Sequence, residues 1–112
     1  MNLKKCMLEH MELDYLMTEL RFNIAAARAE GMELVMLELT TEEERSRRRR
    51  YISVLFRLRQ LKREGLIQFF ASEDDFADNT TEAVYLLNKY PELSETVNIA
   101  KEGARRIVIV RI

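Results

Sequence analysis

Cys6 and His10 are the thiol and imidazole this chain offers, and four residues on a helix bring two side chains to one side. The chemistry to test first is a thiolate activated by a neighbouring base. No third group at a fixed spacing orients the imidazole, so two incidental helix residues is the expectation. One Cys and one His also leave no usual structural zinc site and no internal disulfide within one chain. The other chemical candidate is the acidic set Glu73, Asp74, Asp75, Asp78 and Glu82, read as a loop over residues 72–78 leading into a helix. Hard cations want oxygen ligands, but this spacing matches no calcium loop, and acids capping a following helix account for it. No glycine-rich phosphate loop is present. The expectation is a protein with no catalytic residues, metal site or cofactor, and a metal-dependent enzyme centred on the 73–82 acids ranks third.

The basic residues are concentrated elsewhere. Residues 40–65 hold nine Lys/Arg against four Glu, net +5, whereas residues 66–104 hold two against eight acids, net −6. The first 39 residues carry −3 and the last eight +3, giving −1 overall. This segment reads as one helix over residues 41–64. Thr40 and Glu43 are spaced as a capping box, Lys62 and Arg63 suit the negative end of the helix dipole, and Gly65 suits a left-handed cap. The run Arg47, Arg48, Arg49, Arg50 turns by about 100° per residue, so it points around the helix and forms no single face. Arg45, Arg49, Arg57 and Arg63, with Ser46, Ser53 and Gln60, form a stripe that suits a phosphate backbone or a partner's acidic rim.

Residues 51–67 (YISVLFRLRQLKREGLI) resemble the recognition helix of winged-helix DNA-binding proteins running into a wing strand, with RRIVIVRI as the return strand. That resemblance implies nucleic-acid binding through the arginine-rich helix, which is the alternative function. Two departures stand against it: no turn residue splits residues 41–64, and the wing would exceed 30 residues.

The first helix is read over about residues 3–30, stopping at Gly31. One stripe runs Leu13, Met17, Leu20, Ile24, Ala27; another, on a different side, runs Leu8, Met11, Tyr15, Phe22, Ala25. One stripe covers a sheet and the other needs a partner, so Leu8, Met11, Tyr15 and Phe22 are the expected contact residues of a homo-oligomer or a complex with another protein.

At 112 residues and 47% hydrophobic content, a single domain over residues 1–112 with a real core is expected. No apolar run approaches a membrane span or a signal peptide, and the single thiol fits a reducing compartment, so a cytoplasmic setting is expected. Strands are predicted at residues 33–39, 66–71 and 105–112, a third helix begins at Asn79 with Glu82, and residues 92–104 are read as irregular with a turn of helix near 95–100. Ile107 to Val110 is apolar throughout, as a strand covered on both faces must be. The predicted fold is α/β: three strands in the order 1-3-2 with three helices, in the chain order α-β-α-β-α-β.

Overall fold

The structure is a computed structural model and describes residues 2–8, 13–39, 43–103 and 106–112. Its elements in chain order are β1 (Leu3–Leu8), α1 (Leu13–Ala29), β2 (Leu34–Leu39), α2 (Glu44–Arg63), β3 (Phe69–Ser72), α3 (Glu73–Asp78), α4 (Thr81–Lys89), α5 (Leu93–Glu102) and β4 (Arg106–Arg111). They form one four-stranded sheet of order β1-β2-β4-β3 between two helical layers.

The sheet explains itself from the burial along each strand. All six residues of β2 are buried, including Glu38, and Ile107 to Val110 of β4 are fully covered; these are the two inner strands. Val35, Leu37 and Leu39 with Val108 and Val110 pack under α1 and α2, meeting Leu16, Leu20 and Ile24 from the first helix and Tyr51, Val54, Leu58 and Leu61 from the second. The opposite face, Leu34, Met36, Ile107 and Ile109, is covered by Ala83, Leu86 and Tyr90 of α4 and its exit and by Leu93 and Ala100 of α5. Alternation of side chains across each strand thus feeds two cores from one sheet.

The three expected strands take the expected relative order, because β4 lies between β2 and β3 and runs antiparallel to both. The count does not hold. Among the described residues there are four strands and five helices, and the additional strand is β1, in residues assigned to the first helix. Leu, Lys and Met are good helix formers, which hides the short alternation of buried Cys6 and Leu8 with exposed Lys5 and Met7. Parallel pairing with β2, Leu3 opposite Leu34 through Leu8 opposite Leu39, decides the conformation.

Local punctuation is clearer. After α1 the Met32 N–H donates to the Ala27 carbonyl and the Gly31 N–H to Arg28; after α2 Leu66 donates to Leu61 and Gly65 to Lys62. Both are Schellman closures, with Gly31 and Gly65 at φ of 74° and 77°. The start of α2 differs from expectation, since Glu43 is its N-cap residue; Thr40 lies outside the described residues. Of the 72–78 segment read as a loop, Ser72 ends β3 and residues 73–78 are helical. Ser72 and Asp75 form a reciprocal capping box, and Asn79 closes α3 in the left-handed conformation instead of opening α4, whose cap is Thr80. Residues 93–102 are likewise a full helix. The winged-helix alternative fails on topology: α2 is one unbroken helix, and β4 pairs with β2 and β3 in the middle of the sheet.

Candidate interaction surfaces

The strands β1, β2 and β3 all end at one edge of the sheet, where α2 and α3 begin and β4 enters. This is the edge where open α/β sheets place ligands. Its centre is filled: Tyr51 is buried there with the Arg106 guanidinium 5.0 Å from its ring centroid. Burial pushes the Tyr51 phenol above its ordinary value, and its hydroxyl faces Ser72 and the Asp74 backbone without a well-aligned hydrogen bond. The neighbouring acids Glu73, Asp74 and Asp75 occupy the first turn of α3, where the helix dipole favours them. The Asp75 carboxylate accepts from the Ser72 N–H at 2.8 Å and from its hydroxyl at 3.0 Å. Among the described residues, no group of three or more His, Cys, Asp or Glu is placed to hold a metal ion.

Cys6 is on β1, not on a helix, so its spacing to His10 is not a helical turn; His10 lies outside the described residues. The thiol points into the core beneath α1, and burial raises its pKa.

On α1 the buried residues are Leu16, Leu20, Ile24 and Ala27, with Leu13 and Met17 packed beside them. That leaves Tyr15 and Phe22 on the opposite side, 61% and 72% exposed, with Thr18 and Ala25 exposed near them. Of the expected contact residues, these two are therefore brought together on one outward stripe. Leu8 is not: it is a core residue at the end of β1. Met11 lies outside the described residues.

The outer face of α2 carries a second set. Ile52 and Phe56, one turn apart, are 57% and 62% exposed, and Arg45, Arg48, Arg49, Arg59 and Arg63 are exposed along the same helix. Arg57 leaves the expected stripe, because it turns to α1 and donates to the Leu13 carbonyl at 3.3 Å. Arg21 bridges to Glu64 at 2.9 Å and Arg28 donates to the Leu66 carbonyl, so three arginines join α1 to α2 and its exit. The hydrogen bonds from Arg21 and Gln60 hold the Glu64 carboxyl below its ordinary value. The sequence carries this signal: Tyr51, Ile52, Val54, Leu55, Phe56, Leu58 and Leu61 spread wider around the helix than one sheet face requires, and the surplus, Ile52 and Phe56, falls among arginines.

Comparison with known families, curated proteins and solved structures finds no match for this chain. No helix among the described residues is long and apolar enough to cross a membrane.

Proposed function

We propose that this domain works by protein association, and that the outward stripe of α1 meets the same stripe of a second copy. The observation that carries this reading is the pair Tyr15 and Phe22, two rings one heptad apart on the side of α1 opposite its core stripe, with uncharged Thr18 and Ala25 between and beside them. A two-fold contact needs one patch that complements itself. Two antiparallel copies of α1 set Tyr15 of each against Phe22 of the other, an aromatic pairing with no charge to desolvate. Each ring buries at most about 150–250 Å², so the contact sits at the low end of interface sizes, the range of weak and transient associations. A single buried thiol is in keeping with a reducing, cytoplasmic setting.

The test is the solution mass of the wild type and of Tyr15→Glu/Phe22→Glu. Both side chains are exposed, so the variant keeps its core and its circular dichroism. Loss of the dimer with unchanged folding supports the reading; a wild type that stays monomeric at about 100 μM overturns it.

A second reading rests on a separate observation. Phe56 stands exposed among Arg45, Arg49, Arg59 and Arg63, the combination of a stacking ring with cations that single-stranded nucleic acid favours. Under that reading, binding to labelled DNA or RNA falls steeply with salt and is lost in Arg45→Ala/Arg49→Ala.

A further inference from the structure

β3 is an edge strand. It pairs with β4 on one side, and among the described residues no strand lies on the other. The register shows which backbone groups this leaves unused. The Ile112 N–H donates to the Glu33 carbonyl on the β2 side, so even-numbered residues of β4 point toward β2 and odd-numbered ones toward β3. Their β3 partners opposite Arg111 and Ile109, Phe69 and Ala71, make the ladder bonds, and the Phe70 N–H and C=O face outward. Ser72 also faces outward, but its N–H is taken by Asp75.

The edge is flanked by two cavities that share Lys62 and Glu82. One, of about 540 Å³, lies over Phe70 and is walled by Arg59, Lys62 and Arg63 of α2. The other, of about 320 Å³, lies on the opposite face of the strand against Phe69 and Tyr85, whose rings meet edge-on at 5.5 Å. One side of the groove carries three cations against the carboxylates of Asp75 and Glu82, and the other is aromatic with Lys62 and Glu82 at its rim. Asp75, which also reaches the first cavity, has its carboxylate engaged in the Ser72 cap.

We propose that this edge accepts an extended peptide whose side chains alternate acidic and apolar. An added strand sends successive side chains to opposite faces, so one set meets Arg59, Lys62 and Arg63 while the other meets Phe69 and Tyr85. Its backbone takes the Phe70 N–H and C=O, the mode by which sheet edges capture peptides. A second copy fits poorly here. Antiparallel β3 pairing across a two-fold keeps each helical layer on its own side, so the α2 cations of one copy would face those of the other.

The experiment is fluorescence anisotropy at low salt with three labelled peptides: a Glu-Val alternating repeat, its Lys-Val counterpart, and a Glu-block peptide of the same composition as the first. Hydrogen exchange at the Phe70 amide is followed alongside. The expected result is binding of the Glu-Val repeat above the other two, about tenfold weaker for Lys62→Glu/Arg63→Glu, with slowed exchange at Phe70 in the complex. N-methylation at alternate residues of the peptide should abolish binding, because it removes the donors the edge requires. Absence of binding, equal binding of all three peptides, unchanged affinity in the variant or unaltered Phe70 exchange each overturn the proposal. Phe70 protection that grows with protein concentration in the absence of peptide also overturns it, and names a second copy as the occupant.

Discussion

Arginine does three different jobs in this chain, and only geometry separates them. Arg21, Arg28 and Arg57 are consumed between helices, Arg106 lies over the Tyr51 ring, and Arg45, Arg49 and Arg63 remain exposed. Sequence spacing placed Arg57 with the exposed group because it fixes the angle around a helix and not the neighbour standing there. Two other side chains lend themselves to direct tests. Cys6 is buried with its pKa raised, so native protein should react slowly with iodoacetamide and denatured protein rapidly; equal rates would contradict its placement in the core. The Tyr90 hydroxyl donates to Glu33 at 2.8 Å, and burial, reinforced by that bond, raises its pKa. The unfolded chain therefore releases the phenol proton first. The stability this group contributes is complete below about pH 10 and is lost as pH rises through the folded value. Tyr51 has the same sign. In urea titrations on either side of about pH 10, Tyr90→Phe should show a smaller loss of stability on raising the pH than wild type; an equal loss would contradict the assignment.

At the scale of elements, ends were more legible than identities. Gly31 and Gly65 were recognisable as helix stops, Gly65 as a left-handed one, and both take that conformation, which few other residues tolerate. A Cβ at Gly65 meets no atom within 4 Å, so Gly65→Ala carries only the backbone cost of a positive φ. It should destabilise by about 1–2 kcal/mol in chemical denaturation. The α3 helix was hidden because its cap is Ser72 with Asp75 rather than Glu, and because a six-residue helix has too little apolar periodicity to register. Ser72→Ala removes the hydroxyl arm of that box, leaving the Asp75 carboxylate on the backbone N–H of residue 72, and should cost about 0.5–2 kcal/mol; a neutral effect would show that α3 does not depend on the Ser72 hydroxyl. β1 was read as helix because Leu8, Tyr15 and Phe22 continue a helical spacing across a boundary that only the β1–β2 pairing reveals.

For the whole molecule, the central position of the C-terminal strand followed from its unbroken apolar run, and the α/β class from alternating elements. Strand number did not, since pairing between distant segments leaves little local trace. The outward stripe of α1 was half legible: Tyr15 and Phe22 emerge together, whereas Leu8 belongs to the core. The charge asymmetry takes physical form as an arginine-bearing outer face on α2 and an acidic first turn on α3. The proposed self-association through the outer face of α1 is read by sedimentation velocity over a concentration series reaching about 100 μM. It predicts a shift from monomer toward dimer mass for the wild type, and monomer throughout for Tyr15→Glu/Phe22→Glu at unchanged helicity. A monomeric wild type across the series, or a variant that dimerises equally well, would contradict it.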